Sequence, residues 1–150
     1  MKIYLVRHGE AVSPEINPDC PLSPEGTKEL EKLGTFFAAH GFPLSEILHS
    51  QKLRAKQTAE ILGRYLEPKH QIEEYKHLNP SDPIEPIFDQ LDDGVMVVGH
   101  LPYLQKLSGY LIAHDQDATV IKFSPGMVAC LEKLNGRYAL DWAIGTNLVS

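Results

Sequence analysis

Ile3-Tyr4-Leu5-Val6-Arg7-His8-Gly9, near the start of the chain, is the stretch that decides the fold. Its first four residues are apolar and partly β-branched, which is typical of a buried strand in a parallel sheet. The apolar run stops abruptly at Arg7, and the following histidine and glycine indicate a loop. Ile3 to Val6 is therefore predicted as a buried strand whose carboxyl end carries Arg7, His8 and Gly9.

Two more apolar stretches are predicted as buried strands. Val95-Met96-Val97-Val98 is followed by Gly99-His100, and it is the strongest buried-strand pattern in the chain. Ile47 and Leu48 predict a short strand as well. Each is followed by a helix signal, so the sequence alternates strand and helix over its first two thirds.

Three longer helices are predicted from capping residues and apolar spacing. The first begins at Ser23-Pro24-Glu25 and ends near His40-Gly41. The second has Ser50 as its predicted N-cap and continues to about Leu66, which puts Arg54 in its first turns. The third runs from Pro102 to about Ala113.

The remaining segments complete the element order. Residues 67–83 are predicted as loop with a short strand near Ile72 to Tyr75, and a brief helix follows from about Ile84 to Leu91. Strands are predicted over Thr119–Phe123, Met127–Leu134 and Arg137–Ile144, and the last two are joined by the hairpin signal Asn135-Gly136. This order predicts a three-layer α/β/α sandwich with a mostly parallel central sheet and an antiparallel edge, formed by a single domain over residues 1–150.

Composition narrows the class of function. The net charge of −6 argues against nucleic acid or an anionic membrane as a partner, because both need a broad basic face. Cys20 and Cys130 are too few for a disulfide framework and lack metal-type spacing. The apolar opening stops at Arg7 and is too short for a signal peptide or membrane span, so a cytoplasmic protein with two free thiols is expected.

The candidate site lies where the predicted strands end. In open α/β sheets ligands bind beyond the carboxyl ends of the strands, and this edge receives His8 and His100. Arg54 is predicted to join them from a helix N-terminus, which adds unpaired N–H groups and a partial positive charge. Two histidines with Arg7 and Arg54 form an arrangement suited to a phosphate group.

Three motifs carry a resemblance to a known family: Arg7-His8-Gly9-Glu10-Ala11, the stretch Ser50 to Ala59, and Gly99-His100-Leu101-Pro102. In order and spacing they resemble the histidine phosphatase superfamily, also called phosphoglycerate mutase-like, over nearly the whole chain. The short length and the near-terminal Asn147-Leu148 most resemble its SixA-type phosphohistidine phosphatases. The resemblance implies a catalytic core of four residues, which are Arg7, His8, Arg54 and His100.

The chemistry of each role can be argued separately. A neutral imidazole can attack phosphorus without a separate base, which suits His8 as the nucleophile. The predicted phosphate-binding residues are Arg7, Arg54, His100 and the neighbouring Gly9, since charge spreads over the phosphoryl oxygens in the transition state, and His100 is expected to act as a donor in its protonated form. Because cationic side chains can supply this stabilisation, neither a metal nor another cofactor is predicted.

The sequence departs from the family pattern at two positions. Many relatives carry a glutamate after a Leu-Asn pair as the proton donor to the leaving oxygen, whereas Leu78-Asn79 is followed here by Pro80. Asp82, Glu74 and Glu10 are the alternatives for that acid. Pro14 replaces a family asparagine, and Asn17 is not an obvious substitute.

Three other functions use the same kinds of residue. A metal hydrolase would need closely spaced ligands, and these histidines show no such pair: His40, His49, His70, His77 and His114. A non-catalytic phosphate-binding module could dispense with His8 or His100, and both are present. The predicted partner is a phosphorylated protein, such as one with a histidine phosphotransfer domain, and the alternative substrate is a small sugar or nucleotide phosphate.

Overall fold

The computed structural model describes residues 1–41 and 43–148, and its framework is a six-stranded mixed sheet. The α-helices and strands, in chain order, are β1 (Lys2–Arg7), α1 (Pro24–His40), β2 (Glu46–His49), α2 (Leu53–Leu66), β3 (Ile72–Glu74), β4 (Val95–Gly99), α3 (Tyr103–Ala113), β5 (Val128–Leu134) and β6 (Arg137–Ile144). Two short 3₁₀ segments cover Glu85–Gln90 and Thr146–Leu148.

The strand order is β3-β2-β4-β1-β5-β6. The first four strands in that order are parallel, so their carboxyl ends meet at one edge of the sheet. Strand β5 runs antiparallel to β1, and β6 runs antiparallel to β5. The predicted parallel centre with an antiparallel edge is therefore confirmed.

Helices cover both faces of the sheet. On one face α3 and the Glu85–Gln90 segment pack on the strands through a buried cluster that includes Leu107 and Val97. On the other face α1 and α2 pack through a second cluster that includes Leu33 and Leu62. The architecture is the predicted three-layer α/β/α sandwich. None of the helices in the described ranges is both long and apolar enough to cross a membrane.

Two local predictions are wrong, and a third is refined. Thr119–Phe123 forms no strand, although Ile121 and Phe123 are buried. The brief helix predicted from about Ile84 to Leu91 is present as a 3₁₀ helix over Glu85–Gln90. Ser50 does not cap α2, because the helix begins at Leu53 after Lys52, whose side chain makes no capping hydrogen bond.

Candidate active site

His8 and His100 leave neighbouring parallel strands side by side. Arg7 at the end of β1 is paired with Gly99 at the end of β4, so the next residue of each strand faces the same edge. The His8 backbone N–H donates to the Gly99 carbonyl at 3.0 Å. The two imidazole centroids are 5.0 Å apart, with an angle of 53° between the ring planes. The structure thus brings together the two histidines predicted from the sequence.

Hydrogen bonding fixes which nitrogen of His8 is free. Its Nδ1 lies 2.8 Å from the carbonyl oxygen of Gly9. Because a carbonyl can only accept, Nδ1 carries the hydrogen and the lone pair of the neutral ring is on Nε2. Burial, together with the positive charges of Arg54 and Arg7, lowers the pKa of His8 to about 4, against a smaller opposing effect of the Gly9 bond. At neutral pH the ring is therefore uncharged and Nε2 is unprotonated.

The two arginines keep donors available. Arg7 Nη1 donates to the Phe123 carbonyl at 2.9 Å, which anchors the guanidinium. Its Nε is buried and has no hydrogen-bond partner among the described residues. Arg54 lies in the first turn of α2, and its positive charge contributes to the lowered pKa of both histidines. Both guanidinium groups can therefore offer N–H donors to an anion.

His100 is the most buried of the four residues, at 2% exposed. Its Nε2 lies 2.5 Å from the Ser50 hydroxyl oxygen, whereas its Nδ1 is buried without a partner in the described part of the chain. Burial is the largest cause that lowers its pKa to about 3, followed by the charges of His8, Arg54, Lys52 and Arg7. In the free site His100 is therefore neutral, and any donor it offers is an uncharged N–H.

Thr58 joins the loop after β1 to α2. Its hydroxyl oxygen accepts the Gly9 backbone N–H at 3.0 Å, and its hydroxyl donates to the Arg54 carbonyl at 2.7 Å. Thr58 is fully buried. A side chain at Gly9 would also collide with Leu30, because a Cβ there would lie 2.7 Å from Leu30 Cδ1. Packing against Leu30 and the hydrogen bond to Thr58 therefore fix the position of Gly9. The Gly9 carbonyl in turn accepts the hydrogen bond from His8 Nδ1.

Sequence reasoning missed the roles of three residues at this edge. Ser50 was assigned to a helix cap but bonds to His100, Thr58 links the two halves of the site, and Lys52 adds a third positive charge near His100. The sequence did contain a feature that could have placed Ser50 in the site. It follows β2 directly, at the same edge of the sheet that singled out His8 and His100.

Two of the carboxylates considered as proton donors accept other hydrogen bonds, and the third stands at the end of the outermost parallel strand. Asp82 accepts the Asn79 backbone N–H at 2.9 Å, and Glu10 accepts the Ser23 hydroxyl at 2.9 Å. Glu74 ends β3, which is an edge strand separated from β4 by β2. Within residues 1–41 and 43–148 no carboxylate forms an ion pair with any of the four core residues. No group of three or more potential metal ligands is found in the same ranges.

A sequence model of the histidine phosphatase superfamily (branch 1) matches residues 3–79, just over half of the chain. The chain belongs to this superfamily. The match contains two of the three motifs, and β4 brings Gly99-His100 from outside it to the same sheet edge. Membership places the protein among phosphatases that use a catalytic histidine.

Individual relatives of this histidine phosphatase agree in fold and family. Phosphohistidine phosphatase SixA of Escherichia coli K12 is 27% identical over 121 residues, which cover 75% of this chain and 73% of that protein. A structure of the histidine phosphatase SixA with tungstate superposes with a TM-score of 0.84 at 23% identity, over 99% of both chains. The 6-phosphofructo-2-kinase/fructose-2,6-bisphosphatase of Caenorhabditis elegans is 35% identical over 83 residues, and the match spans only 17% of that protein.

Proposed function

We propose that this histidine phosphatase removes the phosphoryl group from phosphohistidine in a protein, through a covalent intermediate on His8. The observation that carries the proposal is the charge pattern of the site. Two neutral histidines lie beside Arg7 and Arg54, and no carboxylate forms an ion pair with these groups in the described part of the chain. Such a site can bind and accept a phosphoryl group but has no evident acid for a poor leaving group.

The first step transfers the phosphoryl group. The lone pair of His8 Nε2 attacks phosphorus, and the bond between phosphorus and the substrate nitrogen breaks. Arg7, Arg54 and His100 donate hydrogen bonds to the phosphoryl oxygens, where charge accumulates in the transition state. The departing imidazole takes a proton from solvent and leaves neutral. The products are dephosphorylated protein and phospho-His8.

The second step returns the site to its starting state. A water molecule attacks phosphorus on the side opposite His8 Nε2, and the phosphorus–nitrogen bond breaks. The oxygen and both protons of the water leave with phosphorus as inorganic phosphate, and Nε2 regains its lone pair. The bond between Nδ1 and the Gly9 carbonyl holds the ring in one orientation through both steps.

Leaving-group chemistry favours phosphohistidine over phosphate esters. An imidazole nitrogen has a reference pKa of about 6.5, so solvent can protonate it near neutral pH. An alkyl oxygen is far more basic, and a general acid is typically worth about 10²–10⁴-fold for such a group. The Escherichia coli relative named phosphohistidine phosphatase SixA supports the same substrate class.

The decisive comparison is kcat/KM for three leaving groups under identical conditions: a phosphohistidine protein, an aryl phosphate and an alkyl phosphate. We expect the order phosphohistidine, aryl, alkyl, because basicity of the leaving group rises in that order. Equal values for the alkyl phosphate and the phosphohistidine protein would show that an acid operates. The small-ester phosphatase would then replace this proposal.

A further inference from the structure

Ser50 is a buried polar residue beside the site that the proposed steps do not use. It follows β2 directly and is 0% exposed. Its hydroxyl oxygen lies 2.5 Å from His100 Nε2 and also accepts the Lys52 backbone N–H at 3.3 Å. A buried hydroxyl that contacts the ring of a site histidine can determine where that ring carries its proton.

A count of unpaired donors and acceptors favours one of the two possible arrangements. If His100 Nε2 carried the hydrogen, the Ser50 oxygen would accept from both Nε2–H and Lys52 N–H, and its own hydrogen would have no acceptor among its described neighbours. If Nε2 is unprotonated, the Ser50 hydroxyl donates to Nε2 and accepts from Lys52. All three groups are then satisfied, and the neutral ring must carry its hydrogen on Nδ1.

That second arrangement leaves an unpaired N–H donor on an imidazole ring that lies beside His8. His100 Nδ1 is buried and unpartnered among the described residues, and the ring lies 5.0 Å from that of His8. A buried N–H without an acceptor is costly in the free protein, and an incoming phosphoryl oxygen would satisfy it. A neutral His100 can therefore donate to substrate without first gaining a proton.

We propose that Ser50 is a positioning residue, which holds His100 in the tautomer with hydrogen on Nδ1 and so prepares that nitrogen to donate to the phosphoryl group. The assignment of the tautomer depends only on the free protein. The consequence for turnover rests on the proposed function. The two parts can be tested separately.

The tautomer is tested by nitrogen NMR of the protein labelled with ¹⁵N-histidine near neutral pH, with His100 assigned from the signals missing in His100→Asn. We expect Nδ1 in the protonated range and Nε2 in the unprotonated range, in protein without substrate. A His100 with hydrogen on Nε2 overturns the inference whatever the enzyme acts on, and needs no Ser50 variant. Failure to hydrolyse phosphohistidine would overturn the proposed function and leave this result standing.

The consequence for turnover is tested with Ser50→Ala and Ser50→Thr, and with Ser108→Ala as the matched control. Ser108 is equally buried but bonds only to the Gln105 carbonyl within α3. Ser50→Ala is expected to mix the His100 tautomers and lower kcat on the order of 10- to 100-fold, as loss of a group that orients a site histidine does. Ser50→Thr should restore both signals, and Ser108→Ala should change neither. An unchanged tautomer and kcat in Ser50→Ala would overturn the proposal.

Discussion

His8 and His100 share a property that an exposed histidine lacks: burial and neighbouring cations lower their pKa values to about 4 and about 3. An exposed imidazole, with a pKa of about 6.5, would lose much of its nucleophile to protonation in mildly acidic conditions. The lowered pKa keeps the Nε2 lone pair of His8 available. The same burial makes both residues unfavourable to protonate in the folded state.

The titration of His8 should therefore lie well below the ordinary range. The neutral form is present above a pKa of about 4 and is lost as the pH falls through that value. An NMR titration of the free protein, with His8 assigned from His8→Asn, should give a midpoint near 4. A midpoint close to 6.5 would contradict the lowered pKa of His8.

Because the unfolded chain binds the proton at higher pH, the lowered pKa of His8 also predicts that the free energy of unfolding declines as the pH falls from about 6.5 towards 4.

Arg54 is the single residue whose removal tests the phosphate-binding set most simply. Arg54→Ala should lower the rate on the order of 10²-fold or more, because it deletes a transition-state donor. Arg64→Ala, near the other end of α2 and exposed, is the matched control and should retain activity. A fully active Arg54→Ala protein would remove Arg54 from the site.

Among the helices and strands, the sequence predicted correctly those features that depend on residues close together in the chain, such as a helix cap and a hairpin turn. The Ser23 hydroxyl oxygen accepts the Gly26 N–H at 2.9 Å and Pro24 starts α1, as the sequence indicates. Asn135 and Gly136 both have positive φ, 52° and 80°, as the predicted hairpin turn requires. Such features depend on residues adjacent in the chain.

Segments whose structure depends on distant partners were not predictable in this way. Val120 to Phe123 alternates between exposed and buried residues as a strand does, but the segment pairs with none of the six strands. The Phe123 carbonyl accepts from Arg7 instead. Ser50 similarly resembles a helix cap in the sequence, but in the structure its hydroxyl contacts His100, which follows β4. Long-range hydrogen bonds decided both outcomes.

Thr58 allows a prediction about how α2 is joined to the loop after β1. Thr58→Val keeps the shape but removes the acceptor of the buried Gly9 N–H, which should cost about 1–3 kcal/mol of unfolding free energy and lower activity. Thr58→Ser keeps the hydroxyl and is the control. Urea denaturation and kcat/KM of both variants check this, and a Thr58→Val protein equal to the wild type in both would count against the linkage.

At the scale of the whole molecule, the sheet explains how an acidic protein forms a cationic site. The chain has a net charge of −6, yet the groups whose charge lowers the pKa of His100 are, besides His8, the cations Arg54, Lys52 and Arg7. These residues reach one edge because parallel strands β1, β2 and β4 end there. The sequence predicted this convergence from strand order, whereas the proton positions on the two imidazoles required the three-dimensional contacts.

Trapping the phosphorylated intermediate shows whether the phosphoryl group passes through His8. A protein substrate carrying labelled phosphohistidine is mixed with the enzyme, quenched rapidly in alkali, where phosphohistidine persists, and digested for mass spectrometry. We expect label on His8 in the wild-type protein, and neither label nor turnover in His8→Ala. Label on a different residue, or His8→Ala turning over at the wild-type rate, would contradict this expectation.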